Sequence, residues 1–254
     1  MKKILLSIMF VGVASLANAQ KSEVTAAKNA WGLLGLSKAK TLAENLKELN
    51  DGLAHTDKAI AHEKSKTMPE AWSYRALFAS RISLVDSMDV QNSIANQKIA
   101  EEAVAQAKTL DVKGAEKANI QDAELNLDNA IRNRGIYAYQ RKDFTTAFDA
   151  FTQILAKNPN DTSMYVNTGV VAKEIKNYPA VVSNFKKAID LGYKDASVLY
   201  SEIISTTFDK MKDSVAGLAL LQEAAVKYPE NPYFIGWKLI FTSDAEIFKN
   251  LRKC

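Results

Sequence analysis

One amphipathic helix pattern recurs along this chain at a nearly fixed distance. In residues 144–161, FTTAFDAFTQILAKNPND, apolar or small residues follow the i, i+3, i+4, i+7 spacing of one helix face. They are Phe144, Ala147, Phe148, Phe151, Ile154 and Leu155. The same residue classes return 34 positions later: Tyr178, Val181, Val182, Phe185, Ala188 and Ile189. A weaker copy follows after a further 36 positions: Ser214, Gly217, Leu218, Leu221, Ala224 and Ala225. Such a period indicates stacked helical repeats.

A helix that precedes each of the first two copies recurs as well. Ile131, Gly135 and Ala138 return 34 positions later as Tyr165, Gly169 and Ala172. Glycine inside a helix costs about 1 kcal/mol relative to alanine, so its recurrence in register predicts a close helix–helix approach. Asp143 and Asn177 are placed to begin the second helices, and Pro159 and Pro229 lie in the turns between units.

Each unit is therefore predicted to be a helical hairpin, and here the sequence resembles a known family. Gly135, Phe144, Ala147, Phe151 and Pro159 in a 34-residue hairpin are similar to the tetratricopeptide repeat (TPR) family. The second copy departs from the family pattern at Val181, where alanine is usual. The resemblance covers residues 128–231 and implies an all-α, right-handed superhelix of stacked helix-turn-helix hairpins. Few glycines (10) and prolines (5) also favour helices.

The N-terminal half diverges from this pattern, although it also reads as helical. Pro69 begins a predicted first helix in MPEAWSYRALFASRI, and residues 93–111 show the spacing of a second helix. Ala76 and Ala100 are 24 residues apart, whereas the equivalent pair in the clear copies is 12 residues apart. The larger separation predicts a lengthened hairpin around residues 85–95. Residues 112–126 are predicted to be a connector or a lengthened helix start. Residues 20–125 thus form a divergent TPR-like region, and residues 126–254 the repeat region.

The first 19 residues have the pattern of a secretory signal peptide. Lys2 and Lys3 precede a short apolar stretch at residues 4–13, and Ala17-Asn18-Ala19 provides a cleavage site. We therefore expect export to the periplasm or secretion, with a soluble mature chain and no membrane span. Loss of the two lysines lowers the net charge from +4 to +2, and the other lysines alternate with acidic residues. That distribution does not indicate nucleic-acid binding.

At the other end, Asn231 is a predicted helix N-cap with Pro232 at the first helical position. Ser243 and Glu246 form a predicted capping box for a last short helix.

No residue pattern indicates catalysis, a cofactor or a metal. His55 and His62 are seven residues apart on one predicted helix, about 10 Å from each other, which is too far for two ligands of one zinc ion. The sequence has no H-E-x-x-H motif, no glycine-rich phosphate loop and no G-x-S-x-G elbow. Cys254 is the only cysteine and is interpreted as incidental. We therefore predict a protein that is not an enzyme.

The resemblance to TPR proteins implies a groove, lined by the first helix of each hairpin, that binds peptides or extended protein segments. Carried over to this sequence, the groove positions are Arg132, Ile136, Tyr139, Val166, Asn167, Val170, Lys173, Tyr200, Ser201 and Ile204. Tyr139, Tyr200 and Arg132 are of the types that anchor interfaces. Alternatively, Ile136, Val166 and Val170 pack between helices. Asn167 matches the carboxylate clamp of some family members and Arg132 matches in part, whereas Ile136 and Ser163 depart from it.

These patterns predict an exported, non-catalytic protein–protein interaction scaffold with a protein or peptide partner of unknown identity. Two alternatives remain open. The same groove could bind a glycan or another small ligand, or the helices could serve assembly as an accessory subunit of an envelope enzyme complex.

Overall fold

A computed structural model describes residues 22–34 and 41–237, and every regular element within them is helical. Between residues 41 and 237, consecutive helices are joined by short turns, so the predicted all-α array of helical hairpins is confirmed, while the handedness of the superhelix stays a prediction. The helices are α1 (22–34), α2 (Leu42–Ile60), α3 (Pro69–Val85), α4 (Val90–Leu110), α5 (Lys117–Gln140), α6 (Phe144–Lys157), α7 (Thr162–Glu174), α8 (Tyr178–Asp190), α9 (Ala196–Ser205), α10 (Ser214–Lys227) and α11, described over 232–237.

The chain divides into two compact units within α5, between Tyr137 and Ala138. The boundary predicted at residue 126 also falls inside this helix. None of the helices in the described part of the chain has both the length and the apolar character that crossing a membrane requires. The predicted signal peptide, the Ser243–Glu246 capping box and Cys254 lie outside the described residues.

The first unit packs α1 to α4 and most of α5 around a main apolar core, and Val24, Ala59 and Ala71 form a smaller cluster. Leu49 of α2 and Leu77, Phe78 and Ile82 of α3 are completely buried there. A Cβ atom added at Gly52 would lie 2.2 Å from Cε1 of Phe78, so the absence of a side chain at Gly52 lets α2 approach α3 closely.

Polar side chains link α3 to α5 in this unit. Asn119 Nδ2 donates to Ser73 Oγ and Asn126 Nδ2 donates to Ser80 Oγ, both over 3.4 Å and both between residues 46 apart. The constant separation means that α3 and α5 run parallel in a fixed register.

Deeper in the first unit, α5 contributes a buried arginine that contacts α4. Arg134 is 1% exposed and donates to Ser93 Oγ (3.1 Å) and Gln97 Oε1 (2.6 Å). Burial lowers the pKa of its guanidinium group, while the charge of Glu101 opposes that shift. Gln97 Nε2 in turn donates to Glu101 over 2.9 Å, so the amide side chain lies between the cation and the acid. These contacts fix how α4 packs against α5.

The hairpin predicted to be lengthened around residues 85–95 is longer in its helices and not in its turn. α3 ends at Val85 and α4 begins at Val90, so the additional residues extend the two helices, which have 17 and 21 residues. Asp89 starts α4 by accepting a hydrogen bond from the backbone N–H of Asn92 over 3.0 Å. For residues 112–126, the lengthened helix start is confirmed, because α5 begins at Lys117.

The hairpins of the second unit share one kind of internal turn. The residue that begins each second helix accepts a hydrogen bond from a backbone N–H in the first turn, as predicted for Asp143 and Asn177 and as also seen at Asp213. The residue before each of these caps is a lysine with a left-handed backbone. The φ angles are 63° at Lys142, 59° at Lys176 and 58° at Lys212. Three lysines therefore hold a conformation that glycine adopts more easily.

The spacing of 36 residues before the third copy has a local cause. The caps Asp161 and Asp195 of α7 and α9 are 34 residues apart, which places the two additional residues after Asp195. There α9 continues into a π-helical turn, Thr206–Lys210, in which Met211 N–H bonds to the Thr206 carbonyl over 3.0 Å. The wider turn absorbs the insertion, so α10 keeps its packing face.

The close approach predicted from the repeated glycines is confirmed at Gly169. A Cβ atom there would lie 2.3 Å from Cε1 of Phe185, which is 2% exposed on α8. The aromatic residues of the repeating pattern accordingly belong to the core: Phe151 and Phe185 are buried, while Phe148 packs against the core of the second unit.

Candidate functional site

The predicted groove residues of α7 occupy one strip of that helix. Val166, Asn167, Val170 and Lys173 follow the i, i+1, i+4, i+7 spacing of a single face, and the opposite face carries the buried Met164. Asn167 and Lys173 are exposed, whereas Val166 and Val170 are half-buried and pack against the core of the second unit. The two valines thus serve helix packing and still leave part of their surface accessible.

An ion pair connects this strip to α9. Lys173 Nζ lies 2.5 Å from Glu202 Oε2, and the two side chains remain 50% and 41% exposed. Ser201, beside Glu202, is half-buried and donates to the carbonyl of Ser197 over 3.1 Å. We call this continuous area the first-helix surface: Val166, Asn167, Val170, Lys173, Ser201 and Glu202.

Tyr200 and Ile204, which the sequence also places in the groove, lie in the core. Ile204 has no exposed surface and Tyr200 is 3% exposed. The Tyr200 hydroxyl donates to Glu223 over 2.6 Å and accepts from Lys227 Nζ over 2.7 Å, so its polar atom is occupied. Tyr200 and Ile204 therefore connect α9 to the rest of the unit, and the first-helix surface does not include them.

Electrostatics around the Tyr200 hydroxyl favour its neutral form. Burial is the main reason why the pKa of the Tyr200 phenol is raised, and the hydrogen bond to Glu223 adds to the shift. The hydrogen bonds from Lys227 and Tyr200 lower the pKa of the Glu223 carboxyl group. A neutral phenol between a carboxylate and an ammonium group thus joins α9 to α10.

The remaining predicted groove residues belong to α5. Arg132 is half-buried and Ile136 is 40% exposed, and both lie in the first unit. Tyr139, in the second unit, is 42% exposed, and its ring contacts Phe144 edge-on at 5.7 Å between centroids. The structure thus brings together the predicted residues of α7 with Ser201 of α9.

Glu202 is the member of this surface that sequence comparison did not single out. Its equivalent one repeat earlier is Thr168, a buried residue, and Lys173 and Glu202 are 29 rather than 34 positions apart. A comparison of residues 34 positions apart therefore does not pair Lys173 with Glu202. The signal that could have found them is opposite charge on successive first helices.

The two histidines lie in different elements of the structure. His55 lies on α2, and its Nδ1 is 2.6 Å from Glu23 Oε2. The expectation that His62 shares this helix is wrong, because α2 ends at Ile60 and His62 lies in the following turn. Within residues 22–34 and 41–237, no three His, Cys, Asp or Glu side chains gather as a metal site would require.

Comparisons with known proteins found neither a matching family model nor a matching curated protein. Among solved structures, the chain is similar to YrrB, described as a TPR protein with an unusual peptide-binding site, at 15% identity over 78% of this chain and 87% of that one, with a TM-score of 0.36. It is also similar to the TPR2AB domain of yeast Sti1 in a pHSP90 complex, at 15% identity over 89% and 97%, with a TM-score of 0.34. These similarities do not assign a partner.

Proposed function

We propose that this chain is an exported, non-catalytic scaffold that binds a peptide or an extended protein segment on the first-helix surface. The observation that supports the proposal is the composition of that surface. It combines half-buried valines, an exposed amide and an ion pair on two successive first helices, held in place by a buried core beneath. Anchoring by apolar contact, with a few polar groups to fix orientation, is how protein surfaces recognise extended ligands.

Asn167 suits the backbone of such a ligand. An extended peptide presents one N–H donor and one C=O acceptor at nearly every residue, and the Asn side chain carries both an acceptor and two donors. Val166 and Val170 flank it on α7 and can receive an apolar side chain from the ligand. The three residues together would bind an extended chain that carries an apolar side chain at this position.

Lys173 and Glu202 would supply the charged groups of the site. Because both side chains are about half exposed, their mutual attraction is screened and worth roughly 0–1 kcal/mol. A ligand carboxylate could therefore replace Glu202 as the partner of Lys173 at small cost. We expect bound peptides to carry an acidic residue or a free C-terminus near Lys173.

The experiment is selection of peptides from a random display library against residues 20–254, followed by affinity measurements on variants. Asn167→Arg should weaken the selected peptides at least tenfold, and Lys173→Glu should do the same by reversing the charge. Ser183→Arg is the matched control, because Ser183 is exposed on α8, away from this surface. Unchanged affinity in both test variants would contradict the assignment.

A charge-reversed pair separates loss of binding from loss of structure. Lys173→Glu combined with Glu202→Lys restores an ion pair between α7 and α9, so thermal stability should return to the wild-type value. Affinity for an acidic peptide should remain low, since the order of charges along the surface is inverted. If no peptide is selected and a glycan raises the thermal stability of the chain instead, the small-ligand alternative replaces this proposal.

Export is a separate part of the proposal and rests on the pattern in residues 1–19. Cleavage after Ala19 would produce a mature chain that begins at Gln20. N-terminal sequencing of the protein recovered from its native cells tests this directly. Recovery of the chain with Met1 intact would contradict export by a cleaved signal peptide.

A further inference from the structure

Negative charge continues along α9 beyond the first-helix surface. Glu202, Ser205 and Asp209 follow the i, i+3, i+7 spacing of one helix side, and Asp209 lies on the π-helical turn that extends α9. Ser205 Oγ donates to Asp209 Oδ2 over 3.1 Å, which confirms that the side chains share this side. Glu202 has Lys173 as its partner, whereas Asp209 is exposed and forms no ion pair within the described part of the chain.

Two aromatic side chains of α11 lie beside these carboxylates. Phe208, the neighbour of Asp209 on the π-helical turn, stacks on Trp237 with the ring centroids 5.8 Å apart and the planes 4° apart. Tyr233 lies one helical turn before Trp237, and the centroids of these two rings are 6.3 Å apart. Tyr233 is half-buried, so part of its ring remains accessible. The stacking thus brings α11 next to the acidic side of α9.

The ionisation of Tyr233 reports the charge of this environment. Burial is the main reason why the pKa of the Tyr233 phenol is raised, and the hydrogen bond with Trp237 opposes that shift. The charges of Asp209 and Glu202 raise the pKa further. Two carboxylates that oppose the formation of a phenolate also favour a cation at the same place.

We propose that Asp209, Glu202 and the ring of Tyr233 form a subsite for a lysine or arginine side chain of the bound peptide. Because this subsite extends the first-helix surface, it rests on the function proposed above. The carboxylates would accept charge-assisted hydrogen bonds from the cation, and the ring would offer a cation–π contact. The apolar stem of the same side chain would lie against the tyrosine.

Binding at Lys173 and binding at this subsite support one another. In the free chain Lys173 holds Glu202 at 2.5 Å. A ligand carboxylate that replaces Glu202 beside Lys173 releases the glutamate, which then becomes available to the ligand's cation. A peptide with both charges therefore exchanges one exposed ion pair for two, whereas an acidic group alone leaves Glu202 without a partner.

The distance between the two charged positions predicts a spacing in the peptide. Asp209 follows Glu202 by seven residues, which is about 10 Å along the helix at 1.5 Å per residue. An extended chain covers this distance in about three residues. We therefore expect selected peptides to carry a lysine or arginine about three residues from the acidic group that binds Lys173.

The experiment is a charge-swap cycle by calorimetry on residues 20–254, with a peptide selected as described above. Asp209→Lys should weaken the peptide about tenfold, and Asp209→Asn should weaken it less, because only lysine adds repulsion to the lost attraction. Changing the basic residue of the peptide to glutamate should weaken binding to the wild-type chain, and Asp209→Lys should restore the affinity of that altered peptide.

Asp149→Lys is the matched control, since Asp149 is exposed on α6 and the change in charge is the same. It should leave the affinities of both peptides unchanged. Asp209 is also exposed, so its variants should keep the wild-type melting temperature.

The outcomes separate this subsite from the function on which it rests. If Asn167→Arg and Lys173→Glu weaken binding but Asp209→Lys does not, the first-helix surface binds the peptide and the subsite is refuted. Selected peptides that lack a basic residue at this spacing, or an altered peptide that Asp209→Lys fails to rescue, would also overturn it. Selection of no peptide at all would overturn both the surface and the subsite.

Discussion

Replacing Gly169 by alanine tests the packing on which each hairpin depends. The added Cβ atom would lie 2.3 Å from Cε1 and 2.5 Å from Cδ1 of Phe185, well inside ordinary contact distance. Phe185 is 2% exposed, so its ring cannot swing into solvent. Overpacking of this kind costs about 1–3 kcal/mol, whereas glycine to alanine in a helix returns up to about 1 kcal/mol. With the full return, we expect the free energy of unfolding to fall by roughly 0–2 kcal/mol.

The assay is urea unfolding followed by the fluorescence of Trp237, which belongs to the same unit as Gly169. Trp31 and Trp72 are replaced by phenylalanine so that only Trp237 reports. Gly236→Ala is the matched control: Gly236 is helical, lies in the same unit and would place its Cβ in open space, so that variant should gain up to about 1 kcal/mol. Phe185→Leu removes part of the ring that clashes, so Gly169→Ala should cost less in that background. If Gly169→Ala stabilises the chain as much as Gly236→Ala does, the close approach is refuted.

Three further predictions concern stability. Lys176→Gly should raise the free energy of unfolding by roughly 0.5–1 kcal/mol in urea titrations, because it relieves a left-handed lysine at φ 59°. Arg134→Ala should lower it by roughly 2–4 kcal/mol, and Arg134→Met by less, since methionine fills the same space. Glu223→Gln should lower the free energy of unfolding at pH values above the ordinary glutamate pKa of about 4.3. This loss should fade as the pH falls through the lowered pKa of Glu223 in the folded chain, which urea titrations across that pH range check.

The hairpins of the second unit could be predicted from sequence because their determinants are local. Apolar spacing, the caps Asp143 and Asn177, and Gly169 each act within one or two helices, so the periodic pattern carries the information. The lengthened hairpin of α3 and α4 could be predicted, but not whether its helices or its turn are longer, because both separate Ala76 from Ala100 equally well.

The candidate site was less accessible to sequence reasoning, since exposure depends on tertiary packing. Tyr200 and Val166 occupy equivalent positions in successive repeats, yet Tyr200 is buried through its bonds to Glu223 and Lys227 on α10. The Lys173–Glu202 pair joins residues out of the repeat register, so no comparison of copies could reveal it. Contacts between successive helices thus decide which predicted residues remain available to a ligand.

The most direct test of the proposed function is amide chemical-shift mapping of a selected peptide on the isotopically labelled chain, residues 20–254. The first-helix surface predicts that the largest shift changes occur at Asn167, Val170, Lys173 and Ser201, and that exposed residues of α8 such as Ser183 are unaffected. Changes confined to the outer faces of α6, α8 or α10 would contradict a binding site on the first helices.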